Sequence, residues 1–241
     1  MRLGTAGRVT SRLAGPSGEL ELTTTGSGMP STLFAHGSTG SIASTRPFGS
    51  GVEGSRTFFH FPGYGASAPA VKPLTYAALA ADLRAVADHV GATRALGVSM
   101  GAGALCSLLV STPLRFERLV LALPAALDRP RTDGALDGRE LAAEVPLTDR
   151  AVLSAVVAPV LVIAQEQDLE HPVWVAEQLA DSLKNARLTV LPPGGILVGH
   201  RAAVRDLIGG FLNVETTPTK RHPIEAGHEA GQYERANRPR D

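Results

Sequence analysis

Ser99 stands between two glycines in Gly97-Val98-Ser99-Met100-Gly101, directly after an apolar run. The G-x-S-x-G spacing is that of a nucleophile elbow, a strand-to-helix turn that holds a serine in strained backbone geometry. Glycine is required two positions to either side because a Cβ there would collide with the adjoining strand and helix. A serine so placed points its Oγ away from the sheet, and the helix N-terminus behind it offers N–H groups to a developing oxyanion. A serine needs a base to become a nucleophile, and the base is ordinarily oriented by a third group. The chain holds 7 histidines, and Asp168 follows the apolar segment Val160 to Ala164.

The elements around the elbow fit that role. Tyr76, Leu79, Ala80, Leu83, Val86, Ala87 and Val90 recur at helical spacing after Pro73, and Gly91 ends the helix. Arg94-Ala95-Leu96 then forms a short strand into Gly97. Ala102, Gly103 and Ala104 are small enough for close helix–strand packing, and the helix they open runs to Pro113. Strands are expected at Leu20 to Thr24, Thr32 to Ala35, Arg56 to Phe61, Leu119 to Leu123, Val160 to Ala164 and Arg187 to Leu191. Helices are expected from Val173 to Leu183 and from Ala202 to Leu212. Continuous apolar strands alternating with helices imply a mostly parallel sheet covered on both faces.

Composition narrows the functional classes. At 241 residues the chain accommodates one full-sized domain. The 23 basic and 23 acidic residues cancel, which gives no electrostatic argument for nucleic acid or an anionic membrane as partner. Cys106 is the single cysteine, so an internal disulfide and a thiolate metal cluster are excluded, and its helical position reads as a buried structural thiol. No apolar run reaches the roughly 20 residues of a membrane span. Met1 to Leu20 has no apolar core of a signal peptide, so a cytoplasmic location is the expectation. Neither a P-loop nor a dinucleotide fingerprint is present, and no cofactor or metal is expected.

With the elbow set in this alternating chain, the sequence resembles the α/β-hydrolase superfamily from about Gly18 to Leu212. His36-Gly37-Ser38-Thr39-Gly40 looks like its oxyanion loop, and Pro62-Gly63-Tyr64-Gly65-Ala66-Ser67 like its P-G-x-G-x-S loop. Ala164-Gln165-Glu166-Gln167-Asp168 looks like the loop that presents the acid. The resemblance implies a single α/β-hydrolase domain over 18–212, flanked by a flexible 1–17 and a disordered tail over 213–241. It implies Ser99 as nucleophile and Asp168 as the group orienting a histidine, where the bland alternative for Asp168 is a helix cap or turn. The backbone N–H groups of Ser38 and Met100 would form the oxyanion hole. His36, Gly37 and Tyr64 would border a substrate pocket, with His36 bracing its loop.

The histidine departs from the pattern. The family carries its catalytic histidine in a Gly-His step after the last strand, and here that step reads Gly195-Ile196. Isoleucine cannot take a proton. Gly199-His200 follows four residues later, and glycines at 194, 195 and 199 would let that loop bring His200 back to Ser99. On the competing reading His200 caps the last helix and the site has lost its base. His171, near Asp168, is a third candidate, though a histidine beside the acid ordinarily faces solvent. His60 reads as structural, His89 as a helix C-terminal residue, and His222 and His228 as solvated tail residues.

Residues 125–159 leave room for only a reduced lid, hence an open pocket. The expected function is a cofactor-independent serine hydrolase acting on a small ester, thioester or lactone through an acyl-enzyme. The alternatives are an impaired member that binds a small molecule or protein without turnover, and lyase or acyl-transfer chemistry on the same scaffold.

Overall fold

The computed structural model describes residues 7–70, 72–131, 141 and 143–214. Eight strands form one sheet in the order β1-β2-β4-β3-β5-β6-β7-β8. They are β1 (Val9–Gly15), β2 (Gly18–Thr25), β3 (Ser31–Ala35), β4 (Ser55–Phe59), β5 (Arg94–Val98), β6 (Arg118–Ala122), β7 (Val160–Gln165) and β8 (Ala186–Leu191). Pairing is antiparallel from β1 to β2 and from β2 to β4, and parallel across the other six strands.

The central strands are buried on both faces, and their alternation divides the core in two. Leu33, Ala35, Leu119, Leu121, Val160 and Val162 face one cluster. It is completed by Leu79, Leu83 and Val86 of α2 (Tyr76–His89), Leu105 and Leu109 of α3 (Met100–Ser111), and Leu179 of α4 (Val173–Ser182). Phe34, Leu96, Val120, Leu161 and Ile163 face the other cluster. There Ile42 of α1 (Ile42–Thr45) and Val204, Ile208 and Leu212 of α5 (Arg201–Leu212) cover them. Helices on both faces of a mostly parallel sheet satisfy the demand that doubly apolar strands create. α2 begins where the Thr75 side chain accepts from Ala78 N–H, and ends before Gly91, whose φ of 59° suits glycine.

Residues 9–15, within the 1–17 expected to be flexible, form edge strand β1. Its side chains are exposed on both faces apart from Leu13, so it carries no apolar alternation to read. Ser17 N–H donates to the buried Asp82 carboxylate at 3.0 Å and ties the β1–β2 turn to α2. The expected tail lies outside the described residues from 215 onward. Within 125–159, the described residues contain one helical segment, the 3-10 helix Arg150–Ala155. Leu127, Leu147, Leu153 and Val156 are buried, and Leu147 N–H donates to the carbonyl of Leu127, so this region packs down on the core. No helix among the described residues is long and apolar enough to cross a membrane.

The elbow depends on close backbone approach. A Cβ on Gly101 would lie 2.5 Å from the carbonyl oxygen of Ala35, and one on Gly97 would overlap the backbone of Gly101. Gly210, within α5, has open space around its Cβ position. Gly101→Ala should therefore cost about 1–3 kcal/mol, and Gly210→Ala should add about 0.5–1 kcal/mol of helix stability. Urea unfolding of both variants checks the pair; equal effects at the two sites would refute the close-approach account.

Candidate active site

Ser99, at the end of β5, has φ 52° and ψ −109°, an unusual conformation for a residue with a side chain. Ser99 N–H donates to the carbonyl of Ala122 at the end of β6, and Gly103 N–H donates to the carbonyl of Ser99. These bonds fix the turn on both sides. Met100, the next residue, opens α3, and the first N–H groups of a helix lack intrahelical acceptors.

The acid loop follows β7. Gln167 takes a φ of 58°, turning the chain back sharply. Asp168 Oδ1 then accepts from the backbone N–H groups of Glu170 at 3.0 Å and His171 at 3.1 Å. That is an Asx-type turn. It brings the side chain three residues on against the same carboxylate: His171 Nδ1 lies 2.9 Å from Asp168 Oδ2. Pro172 follows and precedes α4, which disfavours the helical conformation for His171 and keeps it outside the helix. Across the site, His171 Nε2 lies 2.9 Å from Ser99 Oγ. With the proton on Nδ1, the imidazole donates to Asp168 and accepts from the serine hydroxyl. Arg131 donates to the carbonyl of Glu170 at 2.7 Å and fastens the turn to the segment above it.

Of the residues expected at the site, Ser99 and Asp168 are brought together by His171, not by His200. His200 stands at the N-cap position of α5, with Nε2 3.2 Å from the carbonyl oxygen of Pro193 and no side-chain capping bond. The loop before it is a π-helical turn, Gly195–Gly199, which presents Ile196, Leu197 and Val198 to the cavity and carries His200 past it. The two readings of Asp168 coexist, since one oxygen serves the turn and the other the imidazole. The signal for His171 was present in Asp168-Leu169-Glu170-His171-Pro172: an Asx turn places residues i and i+3 together, and the proline fixes where the helix can begin.

A cavity of about 360 Å³ opens beside Ser99 and His171. Gly37 to Gly40 form one wall, and Phe48, Val98, Leu123 and Ile196 provide apolar surface. Gly37 lies against Ser99, a Cβ there falling 3.3 Å from that of the serine. His36 and Tyr64, expected beside the substrate, do not line this cavity, whereas Gly37 does. Tyr64 donates its hydroxyl to the carbonyl of Ser38 at 2.9 Å and lies 3.8 Å from the sulfur of Met100, so it touches both segments assigned to the oxyanion.

His36 is fully buried, edge-on to Tyr64 and Phe61 with ring centroids 4.6 and 5.2 Å away. Its Nδ1–H donates to the carbonyl of Gly37 at 2.8 Å, and its Nε2 accepts from Phe61 N–H at 3.2 Å. The second bond requires a neutral ring. Burial pushes the pKa of His36 down to about 4, aided by the neighbouring His60 and opposed by the Gly37 bond. His60 is wired similarly: Nε2 accepts from Ile42 N–H, and Nδ1 meets Glu21 Oε2 at 2.8 Å. Glu21 also accepts from Ala66 N–H, and this bond, followed by His60, holds its carboxyl below the usual value. Two histidines thus tie the 36–42 and 60–66 loops together.

His89 ends α2, away from the site. Cys106 is buried in α3, and burial pushes its thiol up to about 12, so it stays protonated. Among the described residues no group of three or more His, Cys, Asp or Glu could hold a metal ion. His222 and His228 lie outside the described residues.

No family model and no curated protein sequence matches the chain. Solved structures do. Carboxylesterase CesB from Bacillus subtilis superposes with a TM-score of 0.71 at 17% identity, over 86% of this chain and 92% of that one. A thermophilic esterase from Thermogutta terrifontis gives 0.70 at 19% identity, over 85% and 98%. The enol-lactonase from Burkholderia xenovorans LB400 gives 0.70 at 18% identity, over 85% and 100%.

The neutral, buried His36 has a consequence for stability. Its folded-state pKa is depressed, so the unfolded chain binds the extra proton first. The contribution is complete above about pH 6.5 and declines as pH falls towards about 4, by about 3 kcal/mol in all. Urea unfolding across this interval should show a steeper loss for wild type than for His36→Gln, whose amide does not titrate. Parallel curves would remove His36 as the source.

Proposed function

We propose that this chain, an α/β-hydrolase fold, is a serine hydrolase of small esters, thioesters or lactones, with Ser99 as nucleophile, His171 as base and Asp168 as its orienting acid. The observation that carries the reading is the chain of hydrogen bonds from Asp168 through His171 to Ser99, 2.9 Å at each step. The alternative of an impaired site rested on Ile196, and His171 supplies from another loop the base that position lacks.

In this reading His171 Nε2 takes the hydroxyl proton as Ser99 Oγ attacks the substrate carbonyl carbon. Asp168, already bonded to Nδ1–H, stabilises the imidazolium formed. The tetrahedral oxyanion sits against the N–H groups of Met100 and Ser38, each such donor worth about 3–4 kcal/mol. Collapse expels the alcohol, thiol or ring oxygen with the proton from His171, leaving the acyl group on Ser99. Water, deprotonated by the same imidazole, then releases the acid and restores the serine. The cavity's apolar wall of Phe48, Val98, Leu123 and Ile196 suits a short aliphatic acyl group.

Hydrolysis of p-nitrophenyl acetate and butyrate separates the candidate bases. Ser99→Ala and His171→Gln should each lower kcat/KM by about 1,000-fold or more and abolish labelling by a fluorophosphonate probe, whereas His200→Gln should stay within about twofold of wild type. Activity surviving in His171→Gln but lost in His200→Gln would reverse the assignment.

A further inference from the structure

A second cavity, of about 490 Å³, lies on the α5 side of the sheet and is lined by Arg46, Arg56 and Arg201. The three come from different elements: Arg46 opens the 3-10 turn Arg46–Gly49 after α1, Arg56 lies ten residues on in β4, and Arg201 is the first residue of α5. No Asp or Glu lines the cavity. None of the three arginines makes an ion pair within the described residues. This concentration of positive charge does not follow from overall basicity, since the chain is formally neutral.

Guanidinium groups stay charged at any physiological pH, so three in one concavity repel one another and focus a positive field there. Arg56 is held in place by Nη1, which donates to the carbonyl of Gly49 at 3.1 Å, while its buried Nε has no hydrogen-bond partner among the described residues. Pro47 and Phe58 supply an apolar floor, and Phe58 is itself fixed by stacking on Phe34 at 4.5 Å. The cavity far exceeds the size of a bare oxyanion and falls within the range of small-molecule sites.

We propose that this cavity is a binding site for a phosphate-bearing small molecule, its phosphate held between Arg46, Arg56 and Arg201 and its organic part against Pro47 and Phe58. Arginine forks pair bidentately with phosphate oxygens, and three of them match the double negative charge of a phosphomonoester. The site is separate from Ser99 but shares walls with the first cavity. Ala43, Arg46 and Pro47 line this side, and Ser44, Thr45 and Phe48 of the same stretch line the other.

Calorimetric titration of the intact protein with inorganic phosphate and with phenyl phosphate tests the assignment independently of any esterase activity. Both should bind saturably and more weakly at high salt. Affinity should fall about tenfold or more in the double variant Arg46→Gln/Arg201→Gln, and Ser99→Ala should leave it unchanged. Arg46 and Arg201 are exposed, so the double variant retains the fold, whereas Arg56 also ties down the 3-10 turn and is left in place. Tighter binding of phenyl phosphate assigns an organic phosphate, and equal binding assigns the free ion. Absence of saturable binding, or binding indifferent to the double variant, overturns the site.

Discussion

The contact between Gly101 and the carbonyl of Ala35 sets the spacing on which the site depends. It brings the start of α3 against the end of β3, leaving no room for a side chain. Two consequences follow from that one approach. Ser99 is forced into a positive-φ turn that sends its Oγ clear of the sheet, and the loop after β3 is brought alongside, with Gly37 packed on the serine. The histidine and tyrosine braces then act on a loop already in position. His36, His60 and Tyr64 hold the 36–42 segment through its backbone groups, and none of the three lines the cavity.

The imidazole bonded to Ser99 stands on the loop after β7, which changes the division of labour among the loops. The loop after β8 carries no residue bonded to Ser99, and its five-residue π-helical turn instead supplies apolar wall. The loop after β7 carries both members of the acid–imidazole pair. A carboxylate with two oxygens can serve both ends of this arrangement, because one accepts from backbone N–H groups while the other faces the ring. Carboxylate and imidazole are therefore positioned by the same short turn, and only the step to Ser99 crosses between elements.

Much of this was legible in the residues. The elbow and the loops after β3 and β7 each carried glycines or an acid at a spacing set by backbone sterics, and such constraints leave a local trace. The doubly buried strands β6 and β7 did so through unbroken apolar runs. β1 left none, because an edge strand exposed on both faces has no apolar period, and its place comes from pairing with β2. The identity of the histidine facing Ser99 depended on tertiary placement: His200 had the better sequence position, and a π-helical turn carries it past the site. His171 was marked only by an Asx turn and a proline, features that in most chains merely start a helix. The arginine cavity was invisible for the same reason, since Arg46, Arg56 and Arg201 meet only once β4, α5 and the 3-10 turn are packed.

The three-residue separation of Asp168 and His171 also bears on how the site assembles. Most contacts in a parallel sheet close long loops, and that entropic cost makes such topologies slow to form. The acid–imidazole pair closes almost none. It can form as soon as the turn before α4 does, while the sheet is still unpaired between β6 and β7. Only the approach of Ser99, 72 residues away in the chain, waits for the whole parallel core.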